Sequence, residues 1–208
     1  MVQTIPAKDI TFAQLGEMFG LERSDNEQFF RERQDNIPEL SDLEKQALNE
    51  VKRDYMHLSR YTLLEPIVKM VILSPLLKLA GFYRPPFYLA AEKEVEIVSE
   101  DEGTIVRGRL DVLVFQPQFW VTVIEAKNTQ YSLEVGVPQA LTYMMANPHT
   151  EKPAYGFVTN GREFEFLKLT QQGEPRYSRS YPFSIDRGDD LHRVLAALKH
   201  VAQLAQQS

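Results

Sequence analysis

Cysteine is absent from this 208-residue chain. Disulfides and thiolate metal sites are excluded with it, and the composition suits a reducing cytoplasm. Long apolar runs are missing as well. The longest, Ile67 to Phe82, is interrupted by Lys69, Pro75 and Lys78, and is too short and too broken to span a bilayer. The opening MVQTIPAKDI lacks a basic stretch followed by an apolar one, so no signal peptide is expected. No G-x-x-x-x-G-K-[ST] phosphate loop occurs, which excludes a motor built on that loop. There is no internal repeat, low-complexity segment or clear linker. Positive charge is also scarce: 23 Lys and Arg stand against 29 Asp and Glu, for a formal net charge of −6. A surface that coats nucleic acid is basic. Any DNA binding should therefore be weak and salt-sensitive unless a second copy of the chain or a partner protein supplies positive surface.

What is present supports a folded domain. Hydrophobic residues make up 43% and aromatics 11%, enough for a core and against disorder. The length suits one domain, with a helical accessory segment over 1–60 and an α/β core over 61–208.

Thr11 to Phe19 reads as a helix ended by Gly20, and Phe29 to Arg33 as a second, short one. Ser41-Asp42-Leu43-Glu44 is a capping box. It opens a helix with Leu43, Ala47, Val51, Tyr55 and Leu58 at helical spacing; His57 on it reads as an ordinary surface residue. Leu63 to Ala80 forms the next helix, with Pro66 in its first turn and Pro75 kinking or ending it near Ser74. Pro85 to Ile97 begins the sheet, with Glu92, Glu94 and Glu96 on a solvent-facing side, and the acidic run 99–103 reads as a solvated turn. Further on, a helix is expected from about Val137 with Pro138 in its first turn. Asn160-Gly161 predicts a hairpin whose two turn residues both have positive φ. Tyr177 to Phe183 reads as an edge strand, and Asp189 to Leu204 as a closing amphipathic helix. The expected architecture is a mixed central β-sheet flanked by helices, with helical elaboration at the N-terminus.

The chemistry concentrates between Gly108 and Tyr143. Thr104 to Phe115 is strand-like, and period-two alternation puts Arg107, Arg109, Asp111, Leu113 and Phe115 on one face and Val106, Leu110, Val112 and Val114 on the other. Phe119 to Ile124 is a second apolar run, followed by Glu125, Ala126 and Lys127. Gln116-Pro117 between the runs points to an antiparallel pair. That pairing brings Asp111 beside Glu125 and Lys127. Two carboxylates on one patch call for a cation, and Mg²⁺, or Mn²⁺ in its place, suits oxygen donors. The Ala126 carbonyl is a candidate third ligand. A metal and a lysine together meet the needs of phosphodiester hydrolysis, an activated water and neutralised phosphoryl oxygens.

Some residues carry two readings. Arg107 and Arg109 are either phosphate contacts or two exposed charges at a sheet edge. Gly108 marks either a bulge or a close backbone approach. Glu65 either belongs to a capping box with Thr62 or faces a metal. Gln139 and Tyr143, four apart on a helix, either organise a site or simply pack in the core.

The pattern D-x(13)-E-A-K resembles the PD-(D/E)XK nuclease superfamily. G-R-L-D, I-E-A-K and Q-A-L-T-Y in this order resemble more closely the nuclease domain at the N-terminus of type I restriction enzyme R subunits. The likeness spans roughly residues 63–169 and is strongest over 108–143. Leu110 stands where the superfamily has its proline, a position that varies widely. The resemblance implies a restriction-endonuclease-like core and a Mg²⁺-dependent endonuclease acting on DNA. Asp111 and Glu125 would be metal ligands and Lys127 the catalytic lysine, with Gln139 and Tyr143 organising the site and the nearby DNA. An acidic residue on the first core helix, here Glu65, faces the metals in many such domains. In type I R subunits this domain is fused to a helicase-like motor, whose phosphate loop this chain lacks. A binding module that keeps the fold without cutting, or a purely structural partner, are the alternatives.

Overall fold

In a computed structural model of the chain, residues 4–33, 35–99, 103–116 and 119–207 are described. The acidic residues Glu100, Asp101 and Glu102 and the Pro117 connection, both singled out by the sequence, lie outside them. A short strand β1 (Thr4–Pro6) opens the chain. Helix α1 (Phe12–Phe19) is closed at both ends by its sequence. Thr11 and Gln14 form a reciprocal capping box, and Gly20 stops the helix in the left-handed region. Strand β2 (Glu22–Arg23) and a turn of 3₁₀ helix at Arg31–Arg33 follow. The short strands β1 and β2 have no clear sequence signal, being too brief for periodicity. Helix α2 (Asp42–Leu58) starts at the Ser41 capping box. Its buried stripe is Leu48, Val51 and Tyr55; Leu43, expected inside, is 78% exposed.

The next helical run departs from its sequence reading. It comprises α3 (Glu65–Val68), a π-helical segment (Lys69–Leu73) and α4 (Ser74–Leu79) without a break. Pro75 neither ends nor interrupts it. The wider π turn, with the Ser74 N–H donating to the Lys69 carbonyl, absorbs the proline at the start of the last helical piece. Nor is there a capping box at Thr62: Leu64 is the N-cap and no side chain caps the helix.

The sheet is built on two long strands, β3 (Tyr88–Val98) and β4 (Ile105–Gln116), antiparallel from Tyr88–Phe115 to Val98–Ile105. The opposite edge of β4 is shared. β1 lies parallel against residues 105–107, and β5 (Phe119–Ala126) lies antiparallel against residues 112–116. Residues 108–111 sit between these two partners with no strand on that edge. Helix α5 (Leu133–Met145) crosses from β5 to β6 (Ala154–Thr159), which is parallel to β5. Strands β7 (Glu163–Thr170), β8 (Arg176–Arg179) and β9 (Phe183–Ser184) continue the sheet, β2 pairs with β8, and α6 (Asp190–Gln207) closes the fold.

Helices α2, α3, α4 and α6 cover one face of the sheet, with Val68, Ile72, Leu76, Leu195 and Leu198 against Val114, Ile124 and Phe157. Helices α1 and α5 cover the other, with Leu15, Val137 and Leu141 against Val106, Leu110 and Val158. The layers are thus helix, mixed sheet, helix. Each such aliphatic side chain contributes about 1.5–3 kcal/mol through burial. Among the described residues no helix is long and apolar enough to cross a membrane.

Three further details differ from the sequence expectation. The strict alternation of β4 breaks once. Val106 and Leu110 pack in the α5-side cluster together with Leu113, whereas Val112 and Val114 pack in the opposite one. Asp111 therefore does not simply share a face with Leu113 and Phe115. The flip lies level with Glu92 on β3, a non-glycine residue at φ 54° in mid-strand, and such a conformation costs on the order of 1–2 kcal/mol. Helix α5 begins at Leu133, four residues early, because Ser132 caps it; Pro138 sits inside, at the cost of one backbone bond. The hairpin at Asn160 turns on three residues. Only Gly161 has positive φ, at 84°, while the Asn160 side chain accepts the N–H groups of Arg162 and Glu163.

Candidate active site

The unpartnered edge of β4 is where the sequence-predicted residues meet. The β4–β5 ladder runs to Val112–Ile124. One residue further on, the Asp111 carboxylate takes the place of a backbone acceptor: its Oδ2 accepts the Ala126 N–H at 2.7 Å. Its Oδ1 accepts from Lys69 Nζ, also at 2.7 Å. Asp111 is 9% exposed and Glu125 2%. The Lys127 ammonium donates to Glu125 Oε1 at 2.6 Å and to Gln139 Oε1 at 2.7 Å. Gln139 Nε2 donates to the Tyr143 hydroxyl at 2.8 Å, and that hydroxyl donates to the Arg109 carbonyl on the open edge of β4 at 3.1 Å. The donors all point one way, which fixes the Gln139 amide with its oxygen towards the lysine. Gln139 and Tyr143 are buried, as a core role would have it, and are at the same time bonded to the site.

The fold explains this closeness. A Cβ at Gly108 would lie 2.6 Å from the Tyr143 hydroxyl and 2.6 Å from the Ala7 Cβ, so the glycine marks a close approach of β4 to α5 and not a bulge. Helix α5 is anchored at its other end by Arg179, which grips both Glu134 on α5 and the buried Glu165 on β7.

The electrostatics are those of a site short of positive charge. Burial, and then the nearby Asp111 charge, raise the Glu125 carboxyl to about 8 against the help of Lys127. Burial likewise raises Asp111, opposed by its bonds from Lys69 and the Ala126 amide. Burial disfavours the Lys69 ammonium, yet its bonds to Asp111 and Glu65 outweigh that and raise its pKa. Burial also raises the Tyr143 hydroxyl, which stays protonated as a donor. The second oxygen of Glu125, Oε2, is buried and has no hydrogen-bond partner. A buried carboxylate oxygen left unpaired beside a second carboxylate fits a hard cation such as Mg²⁺, which needs only one or two protein carboxylates and keeps its waters. No ready cage of three His, Cys, Asp or Glu side chains exists among the described residues. The side chains that fit are Asp111 and Glu125; the Ala126 N–H is held by Asp111 Oδ2, a bond that leaves its carbonyl, the third ligand expected from the sequence, untouched.

The remaining candidates are placed differently. Glu65 does not cap α3; it forms an ion pair with Lys69 at 2.7 Å, four residues along. Arg107 and Arg109 stand on β4 opposite the glutamate row of β3. Arg107 pairs with Glu96 at 2.6 Å, and Arg109 with Glu94 at 3.3 Å and Glu92 at 3.7 Å. The four residues Glu94, Glu96, Arg107 and Arg109 line a shallow groove along the strands. The sequence reading missed Lys69 altogether; Glu92 is exposed, as expected from the sequence, and also reaches Lys69 at 3.9 Å and Arg109 at 3.7 Å. The Glu65-x-x-x-Lys69 spacing was the available signal for Lys69. Its reach to Asp111, 42 positions away, depends on tertiary placement.

The family comparison follows the same direction. The family model described as the N terminus of the type I restriction enzyme R protein matches residues 12–175. Among solved structures the chain is similar to one described as a fragment of an HsdR subunit of a type I restriction enzyme from Vibrio vulnificus YJ016. The identity is 23% and the TM-score 0.39, with 66% of this chain and 26% of that chain covered. The chain thus spans about a quarter of the length of that solved chain. No curated protein matches.

Proposed function

The chain belongs to the type I restriction enzyme R protein N-terminal family, and from that premise we propose that it is a Mg²⁺-dependent endonuclease hydrolysing DNA phosphodiester bonds at Asp111, Glu125 and Lys127. The observation that carries this reading is the meeting of Asp111 with the Glu125–Lys127 pair at the open edge of β4, with Glu125 Oε2 buried and unpaired. Asp111 and Glu125 would hold the divalent ion. When bound, it supplies an activated water and neutralises charge on the phosphoryl group.

The chain's own residues do the rest. An ammonium has three donors, and two of those on Lys127 are held by Glu125 and Gln139. The third is left to orient a water or to stabilise a phosphoryl oxygen. Gln139 and Tyr143 keep that ammonium in place through Arg109's carbonyl, so the lysine is preorganised and its geometry does not depend on substrate. The buried site excludes bulk water around the pair. The cellular setting we assign is the cytoplasm, with DNA as the partner.

The test is cleavage of plasmid and linear duplex DNA with Mg²⁺ or Mn²⁺. Asp111→Ala and Lys127→Ala should each lose at least about a hundredfold in rate, the scale of removing one positioned charge from a reacting centre. Cleavage that survives unchanged in both variants belongs to another site or a contaminant. A second reading, a module that binds without cutting, is favoured by the net charge of −6 and by the pairing of Arg107 and Arg109 with glutamates. Metal and DNA binding by wild type with no cleavage would select it.

A further inference from the structure

We propose that the Lys69 ammonium is a built-in cation of the candidate site, standing where a second divalent ion would otherwise sit, so that the site takes one metal ion and not two. This rests on the metal-dependent reading above. Lys69 Nζ lies 2.7 Å from Asp111 Oδ1, 2.7 Å from Glu65 Oε1 and 3.9 Å from Glu92 Oε1. These three carboxylates come from three elements, β4, α3 and β3, and converge on one ammonium. The side chain is 23% exposed, and it leaves the helical run at the first residue of the π segment. Such π turns recur at functional sites.

The division of oxygens shows which place remains. Both Asp111 oxygens are hydrogen-bonded, one to Lys69 and one to the Ala126 N–H. A buried oxygen without a partner is Glu125 Oε2, whereas Glu65 is already paired with Lys69. A divalent ion is therefore drawn to Glu125, and the place beside Glu65 is already taken by an ammonium.

Glu65 is on this account a positioning residue for Lys69 and not a metal ligand.

The experiment is Mn²⁺ binding to the full chain, followed by electron paramagnetic resonance of free Mn²⁺ and by calorimetry, with no DNA present. Wild type should bind one Mn²⁺ per chain. Lys69→Met and Lys69→Gln, each with wild-type circular dichroism, should bind two, and the second ion should be lost again when Glu65→Gln is added. Two ions in wild type, or one in a folded Lys69 variant, would overturn the inference while leaving the metal reading intact. No ion in wild type would overturn both. Should neither variant fold, the wild-type count of one or two decides alone.

Discussion

Glu125 shows how far a single residue can be held from its ordinary state. Its carboxyl titrates near 8, chiefly because it is buried and secondarily because Asp111 is charged. In the unfolded chain it titrates at about 4.3. The folded protein therefore holds a proton that the unfolded chain releases first. The stability contribution is fully present below about pH 4.3 and is lost as pH rises to 8, on the order of a few kcal/mol in total. Metal-free protein should accordingly melt at progressively lower temperature between pH 5 and pH 8. Glu125→Gln should flatten that profile and raise the melting temperature at pH 8 while abolishing cleavage; a melting temperature at pH 8 below wild type would contradict the assignment. Gly108 makes a second residue-scale prediction. A methyl group there meets the Tyr143 hydroxyl at 2.6 Å. Gly108→Ala should cost roughly 1–3 kcal/mol by overpacking and lower cleavage through the displaced tyrosine, as a melt and a rate measurement on the same preparation would show.

Elements legible in the sequence are those whose signals are local. The Ser41–Glu44 cap, Gly20 after α1 and the amphipathic stripe of α6 needed only neighbours a turn apart, and all fell where expected. The Asp111, Glu125 and Lys127 meeting was legible because an antiparallel pair with a short connection leaves little choice of register. What was not legible depends on distant contacts. Pro75 reads as a helix break in one dimension, yet the preceding π turn absorbs it. Alternation along β4 reads as uniform, yet it flips opposite the left-handed Glu92. Glutamate rarely takes that conformation, so no pattern announces it. Within α5, the spacing of Gln139 and Tyr143 was visible but their bond to each other was not. A double-mutant cycle of Gln139→Ala and Tyr143→Phe should show a coupling of roughly 0.5–3 kcal/mol in stability. Additive effects would mean that the two merely pack side by side.

The molecule as a whole carries −6, and the arginines beside its site are already engaged by Glu92, Glu94 and Glu96. DNA binding by the chain alone should thus be weak and should fall steeply with salt. Glu94→Gln and Glu96→Gln together should free Arg107 and Arg109 for phosphates. Anisotropy titrations with duplex DNA in Ca²⁺ should then show tighter binding and a log–log salt slope steeper by about one for each phosphate gained. Unchanged affinity would place DNA on another face of the sheet. The helix–sheet–helix layering serves the site by leaving four residues of β4 open between β1 and β5, where Asp111 meets a neighbouring strand through its side chain. The most direct test of the account is the anomalous diffraction of crystals grown with Mn²⁺. It predicts one peak per chain, at about 2.0–2.3 Å from carboxylate oxygens of both Asp111 and Glu125, and a chain with no peak there, or with a peak bound to Glu65 and not to Glu125, would contradict it.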